Sequence, residues 1–175
     1  NDGTFTFLQD VLDEVLALFP SQYIHIGGDE VPKDRWQECP KCQLRIKAEG
    51  LKDEHELQSY FIKRIHSYLA KKGKTLIGWD EILEGGADRN AVIEVWRGDA
   101  EAAKALANGN RVIIAGPFYF DTPQQNKTLK DVYQTDLLSL PQYRENRKLL
   151  LGAEAPLWTE CATTANAESK LHPRL

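Results

Sequence analysis

Residues 23–31 read Tyr-Ile-His-Ile-Gly-Gly-Asp-Glu-Val, an apolar run that breaks at two glycines and delivers two adjacent carboxylates. The first four residues have the β-branched and aromatic character of a buried strand. Gly27 and Gly28 permit backbone conformations that residues with a Cβ resist. Asp29 and Glu30 therefore stand where the strand ends, and in proteins with a parallel sheet this carboxyl end is where ligands bind.

The two acids can share one pocket only under a geometric condition. Neighbouring residues on a regular strand point to opposite faces, so Asp29 and Glu30 come together only if the backbone leaves β geometry. The glycine pair before them makes that departure easy, which favours a site. The alternative is a polar loop with two solvated acids.

Outward from this stretch, helical periodicity alternates with short apolar runs, which predict helices and strands respectively. The predicted helices are residues 4–19 with Thr4 as the candidate N-cap, 41–48, 53–72, 99–108 and 165–171, and the predicted strands are 23–27, 75–79, 91–96, 111–115 and 149–154. The polar stretch 122–148 is predicted to be a long loop with a weak helix near 137–140 or 142–148. Strands that alternate with helices imply right-handed crossovers and a parallel sheet, so the predicted fold class is α/β.

Each predicted strand runs into aromatic or acidic residues, a pattern typical of a TIM-type (β/α)8 barrel whose loops surround one pocket. These residues are, in chain order, Asp29, Glu30, Trp79, Trp96, Tyr119, Asp121, Trp158 and Glu160. Such barrels usually contain about 250 residues. Residues 1–175 are therefore predicted to be a single segment of a barrel domain, a partial barrel of about five βα units.

Composition excludes several classes of protein. With 42% hydrophobic residues the chain can bury a core, and its net charge of −4 comes from interspersed acids and bases, which argues against a nucleic-acid partner. The apolar stretches are far shorter than the ~20 residues of a membrane helix, so no membrane segment is expected. Methionine is absent even at position 1, so we expect a segment of a longer chain (the parent), with the remaining parts of the parent barrel as its partners.

Two features of the sequence raise the question of a metal. Cys39 and Cys42 form half of a typical four-ligand zinc site, and Cys161 is the only other thiol. A structural role where a loop enters a helix is the favoured interpretation of the pair, ahead of a thioredoxin-like redox role. His25 stands four residues before Asp29, but a lone histidine without a second ligand is more typical of a hydrogen-bonded interior residue. No metal and no cofactor are predicted.

The residues at the strand ends suit a neutral, polyhydroxylated ligand. The C–H faces of a sugar lie on aromatic rings while its hydroxyl groups donate to carboxylates, and no basic lining is evident. For any single tryptophan, packing in the core is the alternative. Three of them at strand ends, Trp79, Trp96 and Trp158, together favour a sugar site.

Five motifs in this order resemble those of the β-N-acetylhexosaminidases of glycoside hydrolase family 20, and the match covers nearly the whole chain. They are His25-Ile26-Gly27-Gly28-Asp29-Glu30, Gly78-Trp79-Asp80-Glu81, Val95-Trp96, Tyr119-Phe120-Asp121 and Leu157-Trp158-Thr159-Glu160. The resemblance implies removal of a terminal β-linked N-acetylglucosamine or N-acetylgalactosamine with retention of configuration, in glycan catabolism. The nucleophile would be the acetamide of the substrate itself, an exception to the scheme of two catalytic carboxylates.

The resemblance also implies a role for each residue. Glu30 would be the general acid and base, Asp29 would hold the acetamide N–H and stabilise the oxazolinium intermediate, and Tyr119 would bond the acetamide oxygen. The pocket walls and the contacts to sugar hydroxyls would come from Trp79, Trp96, Trp158, Asp121 and Glu160. Asp80 and Glu81, beside the tryptophan landmark, would be supporting or rim residues.

The expected partner is therefore a glycan that ends in N-acetylhexosamine, or a chito-oligosaccharide. Family members are often secreted, periplasmic or lysosomal, and this chain carries no address of its own. The early strands of the family, with an arginine that anchors the terminal sugar, have no counterpart here. Two other functions stay open, namely a non-catalytic sugar-binding domain and a metal-dependent hydrolase that uses His25, Asp29 and Glu30.

Overall fold

The computed structural model describes residues 1–123, 125–172 and 174, and strands alternate with helices along them. The helices are α1 (Asp2–Leu18), α2 (Asp34–Glu38), α3 (Pro40–Ala48), α4 (Glu54–Lys71), α5 (Asp99–Asn108), α6 (Leu129–Gln134), α7 (Pro141–Glu145) and α8 (Ala167–Leu171). The strands are β1 (Tyr23–His25), β2 (Thr75–Trp79), β3 (Val92–Val95), β4 (Arg111–Ile114) and β5 (Leu150–Ala153). Short 3₁₀ helices cover Asp80–Leu83, Gly116–Phe118 and Leu137–Ser139.

The sheet follows the order of the chain. Its hydrogen-bonded neighbours run β1-β2-β3-β4-β5, and β1 pairs in parallel with β2, as β4 does with β5. The register of the second pair shifts between Val112 and Ile113. Neighbours that are parallel and consecutive in sequence require a crossover between each pair, which explains the intervening helices.

The chain divides into two compact units, Asn1–Ile93 and Glu94–Leu175. The first is called the N-terminal unit. Most of the buried helical residues in this unit belong to α4, whose buried positions recur at helical spacing and so form one face of the helix. Leu69 of this helix and Leu76 of β2 have no exposed surface. Phe5 of α1 packs on Phe61 of α4, with 5.4 Å between ring centroids.

The second, C-terminal unit is built on β4 and α5. Ala102 and Ala105 of the helix are fully buried, and their small side chains allow the helix to approach the strand closely. The helix ends at Gly109, whose left-handed conformation (φ 86°) suits a residue without Cβ. Tyr143 is fully buried and its hydroxyl donates to the Asp99 carboxylate at 2.6 Å.

The sequence-based predictions are confirmed for every strand and for the long helices, with ends that shift by one or two residues. The Thr4 cap is wrong, because the helix begins earlier and the Asn1 side chain accepts from the Thr4 N–H at 3.2 Å. The predictions missed α2 and α6, which are too short to show helical periodicity. The start of α6 did carry a signal, since Thr128 and Asp131 form a reciprocal capping box.

Two further predictions concern the role of the cysteine pair and the presence of membrane-spanning helices. Cys39 is the N-cap residue of α3 and Cys42 lies in its first turn, where both are free thiols. This placement agrees with a role at the entry to a helix. None of the described helices combines the length and the apolar character that crossing a membrane requires.

Candidate active site

The loop after β1 carries the two adjacent acids and is tied to the strand beside it. The Ile26 N–H donates to the Ile77 carbonyl, and the Gly27 carbonyl accepts from the Trp79 N–H, each at 3.0 Å. The chain then leaves the ladder through Gly27 and Gly28, which have φ values of 72° and 100°. A Cβ on Gly28 would lie 2.6 Å from Ile82 Cγ2, so the residue at this position is restricted in size as well as in φ.

Glu30 has an unusual backbone conformation. Its φ of 45° is the one positive φ among the described residues other than glycine. Such a conformation costs on the order of 1–3 kcal/mol and persists only where the surroundings impose it. The backbone therefore leaves regular β geometry at Asp29 and Glu30, as the sequence argument required, and both residues are exposed in this chain.

A buried glutamine of α4 reaches this loop. Gln58 is 5% exposed, and its Nε2 donates to the Gly28 carbonyl at 2.8 Å. The Lys33 ammonium donates to Gln58 Oε1 at 2.6 Å and to the Val31 carbonyl at 2.7 Å. These bonds connect the two ends of the acidic loop to one helix, and neither side chain stands in a motif that predicts such a role.

Trp79 ends β2 and is 8% exposed. The His25 ring meets it edge to face, with 5.0 Å between centroids. The prediction that His25 is an interior residue is wrong, because alternate residues of β1 point outward and this one is exposed, with its Nδ1 accepting from the Gly27 N–H at 3.1 Å. Of the two alternatives for Asp80 and Glu81, supporting or rim residues, the structure does not favour the rim, since their 3₁₀ turn leaves them 0% and 7% exposed. A supporting role for this pair is consistent with that burial.

In the C-terminal unit, Trp96 and Tyr119 stack on each other. Their ring centroids are 6.3 Å apart and their planes differ by 29°. The backbone is close here too, because a Cβ on Gly116 would lie 2.7 Å from the Trp96 carbonyl oxygen. A glycine at position 116 thus lets the loop after β4 pass next to Trp96.

The loop that carries Tyr119 and Asp121 is anchored from both sides. Phe120, between them, is 1% exposed and its N–H donates to the Pro156 carbonyl at 2.8 Å. Arg174, itself 4% exposed, donates to the carbonyls of Phe120 and, at 3.1 Å, Thr122. The arginine was missed because it has no motif around it that marks a loop anchor.

One carboxylate oxygen in this loop is buried without a partner. Asp121 Oδ1 has no hydrogen bond to any described residue, although the backbone carbonyl of Asp121 accepts from Lys170 Nζ at 2.6 Å. Buried polar atoms are rarely left unsatisfied, and each exception calls for a specific explanation. A ligand hydroxyl would satisfy this acceptor.

Trp158 and Glu160 lie beyond β5 in a segment without regular secondary structure. Trp158 is 42% exposed and Glu160 is exposed. Core packing therefore does not account for Trp158 within this chain, whereas it accounts for much of the surface of Trp79. The loop that holds Trp158 is the one to which the Phe120 N–H binds through Pro156.

A pair of acids joins β3 to the end of β5. Glu94 is 2% exposed, and its hydrogen bond to the Glu154 carboxyl, followed by burial, raises the pKa of Glu154 to about 7. The direction is that expected when two carboxyl groups share one proton. Since Glu154 as a whole is exposed, solvent screens part of this interaction.

The predicted site residues thus fall into two sets. Asp29, Glu30 and Trp79 belong to the N-terminal unit, and the others, Trp96, Tyr119, Asp121, Trp158 and Glu160, belong to the C-terminal unit. Each follows the carboxyl end of a strand in the chain, from directly at that end for Trp79 and Trp96 to seven residues beyond it for Asp121 and Glu160. Within residues 1–123, 125–172 and 174, no three His, Cys, Asp or Glu side chains are grouped so that they could hold a metal ion.

Comparison with known proteins identifies relatives over the whole chain. The sequence model of the family described as glycosyl hydrolase family 20, catalytic domain, matches residues 1–175. The chain is 45% identical to a beta-hexosaminidase of Porphyromonas gingivalis in an alignment that covers 99% of the chain and 24% of the relative. It is 30% identical to the human beta-hexosaminidase subunit beta, with 98% of the chain and 32% of the relative covered.

Solved structures agree with this assignment. The beta-N-acetylhexosaminidase of Bacteroides fragilis superposes with a TM-score of 0.88 at 37% identity, covering 99% of the chain and 38% of that protein. The exo-beta-N-acetylglucosaminidase of Vibrio harveyi, solved in complex with N-acetylglucosamine, gives a TM-score of 0.86 at 29% identity, with 98% and 30% covered. The predicted fold class, a portion of a TIM-type barrel, is confirmed. The chain spans about a quarter to a third of the length of the curated relatives that it matches.

Proposed function

The chain belongs to glycosyl hydrolase family 20, and from that premise we propose that its parent removes terminal β-linked N-acetylglucosamine or N-acetylgalactosamine from glycans or chito-oligosaccharides. In this proposal residues 1–175 are one segment of the catalytic barrel, the reaction retains configuration, and it serves glycan catabolism. The observation that carries the proposal is the exposed Asp29-Glu30 pair, which a strained loop holds at the end of β1.

The acids would divide the chemistry between them. Glu30 donates a proton to the departing glycosidic oxygen and later accepts one from the water that completes the reaction. The acetamide oxygen of the substrate attacks the anomeric carbon, forms the new C–O bond as the glycosidic bond breaks, and leaves a positively charged oxazolinium. Asp29 accepts from the acetamide N–H and stabilises that charge.

The other predicted site residues would position the substrate. Tyr119, held by its stack on Trp96, donates to the acetamide oxygen. Trp79, Trp96 and Trp158 are the apolar walls for the sugar ring and the acetamide methyl. Asp121, whose buried Oδ1 has no hydrogen-bond partner among the described residues, accepts from a sugar hydroxyl, and Glu160 contributes a second acceptor.

A comparison of two substrates tests the mechanism. The purified parent should hydrolyse 4-nitrophenyl N-acetyl-β-glucosaminide and should turn over the matching β-glucoside, which has a hydroxyl in place of the acetamide, much more slowly. The first product seen by NMR should be the β anomer. Equal rates on the two substrates, or an α product, would contradict substrate assistance. A parent that binds N-acetylglucosamine without hydrolysing either compound would instead be a sugar-binding domain.

A further inference from the structure

The acidic loop is held by hydrogen bonds that involve neither carboxylate. Gln58 Nε2 donates to the Gly28 carbonyl at 2.8 Å, one residue before Asp29. Lys33 Nζ donates to Gln58 Oε1 at 2.6 Å and to the Val31 carbonyl, one residue after Glu30, at 2.7 Å. The two acids therefore lie between two backbone carbonyls that are both connected to Gln58.

The hydrogen-bonding groups on either side of Gln58 allow only one orientation of its side-chain amide. The Gly28 carbonyl can only accept and the Lys33 ammonium can only donate, so the central side chain must donate at one atom and accept at the other. An amide does both, and its orientation is set by this network. Because Gln58 is 5% exposed, water has little access to replace either partner.

The loop needs such a restraint because its conformation is unfavourable in isolation. Glu30 has φ 45°, a conformation that a residue with a Cβ rarely adopts and that is strained. A loop freed from Gln58 would relax towards ordinary φ values. The carboxyl group of Glu30 would then move away from the position in which its proton reaches the leaving group.

We propose that Gln58 is a positioning residue for the Asp29-Glu30 pair, acting through the Gly28 carbonyl, and that Lys33 fixes the amide of Gln58 in its working orientation. This inference rests on the proposed glycosidase function. It assigns to one buried polar side chain of α4 the task of keeping the general acid in place.

The test uses the full-length parent and four variants. Q58E keeps an acceptor for Lys33 but turns a carboxylate oxygen towards the Gly28 carbonyl, Q58M removes both bonds, and K33M keeps the Gly28 bond while it frees the amide. The control is Q43M, since Gln43 of α3 also makes two amide hydrogen bonds, to the Trp36 carbonyl and to Glu54, away from the acidic loop.

Each variant is assayed with aryl N-acetyl-β-glucosaminides of poor and good leaving groups, and its melting temperature is measured. For Q58E and Q58M we expect kcat to fall about tenfold or more with the poor leaving group and much less with the good one, because a displaced acid matters most where a proton is needed. K33M should show the same pattern with a smaller loss, and Q43M should match the wild type. Hydrogen exchange of the amides of residues 28–31 should be faster in the Gln58 variants.

The outcomes separate this inference from the proposed function. An inactive wild-type parent would contradict the function itself. An active wild type whose Gln58 variants behave like Q43M, or lose the same factor with every leaving group in step with a lower melting temperature, would overturn the positioning role. If neither Gln58 variant folds, K33M decides, because a leaving-group-dependent loss supports the role and an unchanged profile contradicts it.

Discussion

Trp96 and Tyr119 stack with 6.3 Å between their ring centroids, although 22 residues of sequence lie between them. Trp96 follows β3 directly, and Tyr119 follows the 3₁₀ turn after β4. The stack contacts one face of the Tyr119 ring, and the hydroxyl is the group through which Tyr119 would bind the acetamide in the proposed function. Replacing Tyr119 by phenylalanine removes the hydroxyl but keeps the ring, so a single substitution tests the hydroxyl alone.

Tyr119→Phe should reduce kcat/KM of the parent towards N-acetyl-β-glucosaminides by about a hundredfold, on the scale of losing one preorganised hydrogen-bond donor. The free energy of unfolding should fall by no more than about 1.5 kcal/mol, the net contribution of one hydrogen bond, because the ring and its stack remain. Enzyme kinetics and urea unfolding measure the two quantities. Tyr133→Phe is the matched control, since Tyr133 is 87% exposed, and a loss of similar size in that variant would count against the assignment of Tyr119.

Gly28→Ala should destabilise the parent more than Gly86→Ala. The two glycines have similar backbone conformations, with φ 100° and 93°, so the strain of a Cβ is comparable. Only Gly28 meets a neighbour, Ile82 Cγ2 at 2.6 Å, whereas the nearest atom at Gly86 is 3.9 Å away. We expect the difference to be about 1–3 kcal/mol, the usual cost of overpacking. Urea midpoints at constant m-value measure it, and equal midpoints would show that the loop adapts.

The fold was predictable from the sequence because its strands and long helices each carry an apolar pattern of their own. Strands such as 75–79 are mostly apolar because their residues are buried or half-buried, and helices such as α4 carry an apolar stripe at helical spacing. Both patterns come from burial of the segment itself. Five-residue helices such as α2 complete too few turns for a pattern, so the sequence could not reveal them.

The stability of the C-terminal unit should depend on pH through Glu154. Its pKa rises from the ordinary 4.5 to about 7 in the folded chain, so between these values the folded state keeps a proton that the unfolded state has lost. The contribution is fully present below pH 4.5 and disappears as the pH rises through 7, which means that stability falls with increasing pH.

Glu154→Gln should remove this dependence, because an amide can donate to Glu94 at every pH. The free energy of unfolding of the parent and of the variant is measured at pH 5 and at pH 8. The value of the variant relative to the wild type should be higher at pH 8 than at pH 5. Glu14→Gln, at an exposed position of α1, controls for the loss of one charge. Parallel pH profiles for the wild type and Glu154→Gln would contradict the shared proton.

The candidate site was predictable to a smaller extent than the fold. Asp29, Glu30 and Trp79 stand in compact motifs at strand ends, so pattern and position both mark them. Gln58, Lys33 and Arg174 support the loops through backbone carbonyls, and any residue type can present a carbonyl. A contact of this kind leaves no trace in the sequence of the loop that it holds, and only the folded chain reveals it.

The two adjacent acids should be distinguishable by their dependence on the leaving group. Glu30→Gln removes the general acid, so the loss of kcat/KM in the parent should be large for an aryl N-acetyl-β-glucosaminide whose phenol departs only when protonated. The loss should be small for an activated nitrophenol. Aryl glycosides that span a range of phenol acidities measure this slope.

Asp29→Asn keeps the size of the side chain but removes the charge that faces the developing oxazolinium. Its penalty should therefore persist with the best leaving group, at about 3 kcal/mol if it resembles the loss of one preorganised electrostatic partner. Both side chains are exposed in this chain, so neither change should lower the free energy of unfolding by more than about 0.5 kcal/mol. If the steep slope belonged to Asp29→Asn instead, or if a sugar became covalently attached to Asp29, the roles assigned here would be wrong and a mechanism with two catalytic carboxylates would replace them.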